Sequence, residues 1–381
     1  MSLEKVRVLN TIIERDATDT TYKYALLRGV SEICQHYTHF MEKQNGRVWF
    51  PIGLLIEKWL LYYYPIFDQP SFIPQKPSEQ DLDKPGKKLS FRRQFKKITS
   101  YYEDKGGLSS FYNDYRRGHI PRDINYELLD LLKKLRYTIT RYPMKHLGYS
   151  MTKEHYTIFN FTKGDRIRKQ PVTSELVINK FGKFSISQDF FEIFNLFGGF
   201  ISGEHSIIKK WAEFTVISDK SRSLTIEEML EILTRQPVTD RDVKDIAHYF
   251  EFLLDKQGYS ECVWTGMKIR STSELHIDHV IPFSVWRNND LWNLLPTHRD
   301  TNLSKRDDIP SSKLLKKRHT SILKYWIEIR SQFPERFDSE IKFSLTGTSG
   351  DENDLLKMAF TRLVEKVEYL IKQYGYKEWN K

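Results

Sequence analysis

The chain has 381 residues, 39% of them hydrophobic and 14% aromatic, with a formal charge of +10 and a pI near 9.2. That length supports two or three domains with sizeable cores, and the aromatic content excludes a largely disordered chain. The positive charge favours a polyanionic partner, nucleic acid before an anionic membrane surface, although a basic enzyme without such a partner carries the same sign.

Two cysteines, Cys34 and Cys262, cannot build a disulfide framework or a four-thiolate zinc site. The start "MSLEKVRVLN" has no apolar stretch of the signal-peptide kind, so a cytoplasmic location is expected. Apolar residues recur at helical spacing over residues 19–36 and 51–63, which predicts an N-terminal helical bundle. The most apolar run, "FPIGLLIEKWLLYYYPIF" at 50–67, is interrupted by Glu57 and Lys58 and reads as a buried helix, with no membrane partner expected. Residues 71–90 mix Pro, Lys, Asp and Ser without periodicity and predict a surface loop or linker.

Residues 75–149 hold 17 Lys and Arg against 9 Asp and Glu, so most of the excess charge lies there. Aromatics interleave with the charge over 90–123, as a surface that tracks phosphates and stacks bases requires. Arg92, Arg93, Lys96, Lys97, Arg116 and Arg117 are the candidate contacts there. A helix that buries its aromatics and solvates its cations has the same composition. Near residue 155 the pattern shifts: "HYTIFNF", "SELVINK" and "GKFSIS" predict short strands, the last two as a hairpin. The loop between the first two, 162–171, adds Arg166, Arg168 and Lys169 as nucleic-acid candidates. Thr225 and Glu228 form a capping-box pattern at the start of a helix, and Asp240 is placed to cap the next.

The densest chemistry follows. "ECVWTGMKI" at 261–269 predicts a tight turn feeding strands; where a zinc-binding pair would stand, the partner of Cys262 is Thr265, so no structural zinc is expected. In "ELHIDHVIP", strand alternation places His276 and Asp278 on one face and His279 on the other. Ionisable groups set among Leu275, Ile277, Val280 and Ile281 need one another, a metal or a substrate as partners. Thr297 is placed to cap a helix from His298, on which Asn302, Lys305 and Arg306 share a face offering one amide and two cations. His276, Lys305 and Arg306 are therefore phosphate-binding candidates, whereas Asn289 and His298 read as structural.

The segment "IDHVIPFS…NDLWNLLPTHRDTNLSKRD" resembles the HNH endonuclease motif of the ββα-metal group, with a spacing similar to that in RNA-guided CRISPR nucleases. The resemblance covers about residues 258–310 and leaves the first 250 without a recognised family. It implies Asp278 as the metal-binding acid, His279 as general base, Asn293 as the central asparagine, a member of the catalytic set that fixes the loop by hydrogen bonds, and Asn302 as second metal ligand and member of the catalytic set. It also implies Mg²⁺, or Mn²⁺, as cofactor, DNA as the first-choice substrate, and products with a 5′-phosphate and a 3′-hydroxyl. The expected fold class is α+β and mainly helical: a basic helical recognition region over 1–150, a mixed β/α region over 151–220, and the nuclease domain with flanking helices over 221–381. The leading expectation is a restriction or phage-defence nuclease, with a homodimer favoured for double-strand scission and a defence-complex partner as the alternative association. A guided nuclease subunit and a non-catalytic nucleic-acid-binding protein are the alternatives.

Overall fold

The computed structural model describes residues 3–156, 158–201, 207–221, 223–237, 243–347 and 354–380. The chain divides into two compact units, Met1–Val238 and Thr239–Lys381. It is mostly helical with small sheets, an α+β protein as its residue pattern predicts.

Unit 1 opens with α1 (Leu3–Arg15) and α2 (Tyr22–His36), then a hairpin of β1 (Glu42–Gln44) and β2 (Arg47–Pro51), then α3 (Ile52–Phe67). Three helices and two short helical turns follow: α4 (Arg92–Tyr102), α5 (Gly107–Arg117), α6 (Arg122–Arg141), α7 (Pro143–His146) and α8 (Tyr149–Thr152) come before β3 (Asn160–Phe161) and α9 (Ser174–Lys180). The unit closes with β4 (Lys183–Ser187), α10 (Gln188–Ile201), α11 (Lys209–Ser218) and α12 (Ile226–Thr234). The predicted apolar helix at 50–67 is α3, buried along nearly its whole length. No helix among the described residues is long and apolar enough to cross a membrane.

One antiparallel sheet, ordered β1-β2-β4-β3, ties residues 42–51 to residues 160–187, with Phe50 opposite Phe184 and Asn160 opposite Ser185. The boundary expected at residue 150 therefore falls inside one unit. The expected hairpin of 174–180 with 182–187 is corrected: residues 174–180 form α9, because the Thr173 hydroxyl accepts from the Leu176 backbone N–H at 3.1 Å and caps a helix there. β4 pairs instead with β2, whose hairpin turns at Asn45-Gly46 with both residues at positive φ, 51° and 69°.

Residues 71–90 contain no helix or strand, as expected, but they are anchored rather than loose. Glu79 is buried against Arg92, and the Trp211 indole donates to Gln75 Oε1 at 2.9 Å. The capping box at Thr225 forms, with reciprocal bonds to Glu228. Asp240 lies outside the described residues.

Unit 2 begins with α13 (Lys244–Gln257) and the short pair β5 (Ser260–Glu261) and β6 (Lys268–Ile269). Then come β7 (Leu275–His279), α14 (Phe283–Trp286), β8 (Leu294–His298) and α15 (Arg299–Lys305), a ββα unit whose strands pair antiparallel. Next are β9 (Ile309–Pro310), α16 (Ser312–Lys317), α17 (His319–Gln332), α18 (Pro334–Ile341), α19 (Leu355–Tyr374) and β10 (Glu378–Trp379), which pairs with β9 in parallel. A single apolar core runs under the ββα unit, with Trp292, Trp326, Ile281 and Leu363 fully buried. The Trp326 indole N–H donates to the Trp292 carbonyl at 2.8 Å, so α17 is fastened to the segment between the two strands.

Gly53 decides how closely α3 approaches α9, since a Cβ there would lie 2.2 Å from the Val177 carbonyl oxygen. Gly53→Ala is expected to destabilise unit 1 by about 1–3 kcal/mol through overpacking. Urea unfolding checks this, and an unchanged midpoint would mean that the two helices separate at no cost.

Candidate active site

The site is assembled on a turn, a strand and a short helix. In the turn after β5, Gly266 N–H donates to the Cys262 carbonyl and Cys262 N–H to the Met267 carbonyl, both at 2.8 Å. The guanidinium of Arg318, between α16 and α17, donates to the carbonyls of Val263 at 2.5 Å and Cys262 at 3.3 Å. The Cys262 thiol is buried and free. So fixed, the turn presents Trp264, whose indole N–H donates to Asp278 Oδ2 at 2.7 Å.

On β7 the side chains alternate as expected, and the face that carries His276 and Asp278 meets α15. Asn302 Nδ2 lies 3.2 Å from His276 Nδ1, so the ring nitrogen is the acceptor. One turn further along the helix, Lys305 Nζ donates to Asp278 Oδ1 at 3.2 Å and to the His279 carbonyl at 2.8 Å. Asp278 is 3% exposed and Lys305 is not exposed at all. The helix thus brings Asp278 and Asn302 to diagonal corners of a four-residue patch, about 6–7 Å on edge from the strand rise of alternate residues.

Three details differ from the sequence reading. The cap of α15 is His298, whose Nδ1 accepts from Asp300 N–H at 3.2 Å, while Thr297 is buried within β8. Lys305 is not presented to a phosphate: it is an internal cation that holds Asp278. Arg306 is exposed but leaves the helical face, since its φ of 52° and ψ of −128° end the helix.

His279, 1% exposed, stands at the end of β7 with Nε2 3.1 Å from Asn289 Oδ1 and its ring against Phe283. Asn289 therefore touches the candidate base, a contact that its position in a polar loop did not announce. Asn293, expected in the catalytic set, is fully buried: Oδ1 accepts from Ile281 N–H at 2.8 Å and Nδ2 donates to the Ile281 carbonyl at 2.9 Å. Both ends of its amide clasp the backbone just after β7, so it shapes the loop.

The loop before Leu291 is braced from α18. Arg336 Nε donates to Glu340 Oε1 at 2.8 Å and Nη2 to the Asn289 carbonyl at 3.3 Å, while Glu340 Oε2 accepts from Leu291 N–H. Asp290 Oδ2 accepts from Asn288 Nδ2, Trp292 Nε1 and the Ser344 hydroxyl. Burial, and then the negative charge of Asp290, push the Glu340 carboxyl up to about 7 against the opposing pull of Arg336.

Among the described residues, no group of three His, Cys, Asp or Glu side chains is placed to hold a metal. The oxygen donors on this patch are the Asp278 carboxylate, whose two oxygens each accept one hydrogen bond, and the Asn302 amide, whose nitrogen is turned to His276. One carboxylate and one amide oxygen fit a hard, largely hydrated ion of the Mg²⁺ kind, which takes its remaining ligands from water and phosphate.

In unit 1 the candidate nucleic-acid contacts separate. Arg92 is corrected: it is 2% exposed, paired with Glu79 through two bonds of 2.7 and 3.1 Å and stacked on Phe67 and Phe72, so no surface charge remains for a phosphate. Arg93, Lys97, Arg117, Arg166, Arg168 and Lys169 are exposed, and Lys96 and Arg116 half-buried. The basic loop lies along α6, since Asn125 donates to the Gln170 carbonyl and Lys133 to the Ile167 carbonyl. Lys169 sits over the Tyr126 ring and Lys97 pairs with Glu127, so these two cations flank α6. Arg116 turns inward towards buried Glu57, whose carboxyl burial pushes up despite the attraction of Arg116 and Lys58.

Because the Glu340 pKa is raised in the folded protein from 4.5 to about 7, its stabilising contribution is complete below 4.5 and is lost as pH rises through about 7. Relative to Glu340→Gln, which carries no charge at any pH, wild-type stability should fall by about 3 kcal/mol between pH 5 and 8. Parallel stability curves for the two proteins would show that Glu340 is already ionised at pH 5.

Comparison with known families matches residues 2–233 to a domain of unknown function (DUF8808) and residues 262–311 to an HNH endonuclease. No curated protein and no solved structure matches the chain. The second match spans the turn, both strands and the helix described above, and includes Asp278, His279, Asn293 and Asn302. The chain belongs to the DUF8808 family and carries in its second unit an HNH endonuclease domain.

Proposed function

We propose that the protein is a metal-dependent endonuclease that hydrolyses DNA phosphodiester bonds, with Asp278 and Asn302 holding a divalent ion, Mg²⁺ or Mn²⁺, and His279 as general base. The observation that supports the reading is the packing of α15 across β7, in which the Asn302 amide and the Asp278 carboxylate share one four-residue patch next to the strand end that carries the imidazole. A bound ion would neutralise the negative charge that builds on the phosphate oxygens and on the leaving 3′ oxygen.

The chain's own residues do the rest. Asn289 Oδ1 can only accept, so Nε2 of His279 carries the ring proton and Nδ1 is the basic nitrogen. In this reading the His279 imidazole, whose Nδ1 is buried in this structure, removes a proton from water as it attacks phosphorus. Trp264 and Lys305 hold the Asp278 carboxylate at a fixed angle, and Asn293 holds the backbone beyond the base. His276 supports Asn302, and exposed Arg306 is the remaining phosphate-binding candidate beside the site. Exposed cations of unit 1 are the candidates for engaging the DNA backbone. A cutting unit joined to a separate basic unit suits restriction or defence against invading DNA.

The test is cleavage of plasmid, single-stranded DNA and RNA with Mg²⁺, Mn²⁺ or chelator. Plasmid cleavage that chelator abolishes is expected, and His279→Ala should slow it by about 10²–10⁴-fold with DNA binding retained. Equal rates for mutant and wild type would remove His279 from the mechanism, and cleavage of RNA alone would overturn the substrate.

A further inference from the structure

The HNH match ends at residue 311, yet the loop beside His279 is held by residues well beyond it. We infer that Arg336 and Glu340 on α18 are positioning residues for His279, acting through Asn289; the inference rests on His279 being the general base. Arg336 is the joint: one guanidinium nitrogen donates to the Asn289 carbonyl, another to Glu340, and a third lies 3.6 Å from Asp245 at the start of α13. Glu340 fixes the loop two residues further on by accepting from Leu291 N–H, and Asp290 between them is bound by Ser344. Three successive loop residues are thereby tied to the segment 336–344, and the first of them holds the imidazole.

The composition of this brace argues for more than packing. It sets two carboxylates, buried Asp290 and part-buried Glu340, near one another, where apolar side chains of similar volume would hold a loop at least as stably. What ionic and hydrogen-bonded groups add is direction. With the Asn289 backbone fixed, its side-chain oxygen is fixed on Nε2, and so the proton is kept off Nδ1, the atom that must be basic. Without the brace the loop turns, both ring tautomers are populated, and the base is misdirected for part of the time.

The experiment is a double-mutant cycle on the full chain. Arg336→Ala and Asn289→Ala should each lower kcat about tenfold or more, as displacement of a catalytic group does, with KM and DNA affinity unchanged. Combined, they should cost little more than Asn289→Ala alone. Arg336→Lys, which keeps the pair with Glu340 but lacks the fork, should fall between wild type and Arg336→Ala, and it serves if the alanine variant does not fold. Losses that multiply in the double mutant, or an Arg336 variant with wild-type kcat, would overturn the inference. A second readout does not need activity: nitrogen-15 NMR of histidine-labelled protein, with His279 assigned from His279→Ala. The wild type should show the proton on Nε2 and Arg336→Ala a mixture. A proton on Nδ1 in the wild type sinks the proposal even if the chain cleaves DNA, and a wild type that cleaves nothing but shows the expected shift sinks only the functional reading.

Discussion

The Asp278 carboxylate, buried between the Trp264 indole and the Lys305 ammonium, is the contact on which the second unit is organised. A charge taken out of water needs partners of good geometry, and here they arrive from two different elements. The turn after β5 must bring Trp264 to one oxygen, and α15 must reach the other by way of Lys305. Satisfying one carboxylate therefore fixes the turn, the strand and the helix with respect to one another. The second bond of Lys305, to the His279 carbonyl, extends the same constraint to the residue that carries the imidazole.

That constraint explains why the site is built of buried groups. Asp278, His279, Asn293 and Lys305 are all nearly inaccessible, and each is engaged by a neighbour rather than held ready on the surface. Preorganisation of this kind suits a centre that must act on a phosphodiester without rearranging. Support comes from the core below, where Trp292 and Trp326 join the loop to α17, and from α18, which braces the loop that holds Asn289. In unit 1 a comparable constraint is the Arg92–Glu79 pair, which turns a Pro-rich and charged segment into an anchored one.

The site was legible in outline because its signals are local. Period-two alternation put His276 and Asp278 on one face, and i, i+3 spacing put Asn302 and Lys305 on another, so the docking of a strand on a helix could be read without coordinates. Its supports were not, because each joins distant residues: Trp264 to Asp278, Asn289 to His279, Arg336 to Asn289. The same limit explains the errors in unit 1. "SELVINK" has a strand's β-branched content, but Thr173 supplies a cap and packing against α3 decides for helix. Arg92 has a surface residue's chemistry, and only the fold reveals Glu79 behind it. The hairpin that opens the sheet was not among the predicted elements, although Asn45-Gly46 between residues of alternating polarity is a local signal for it.

From its residues alone this chain is a mainly helical α+β protein with a basic first part and an HNH segment whose polar residues stand at fixed spacings, since composition and short-range periodicity are properties of the chain itself. Which cations face solvent, which residue meets the His279 ring, and what holds Asp278 were decided only by the tertiary structure. The physical reason is that burial and hydrogen-bond partnership depend on groups brought together from tens of residues apart, and no local pattern encodes which of them will meet.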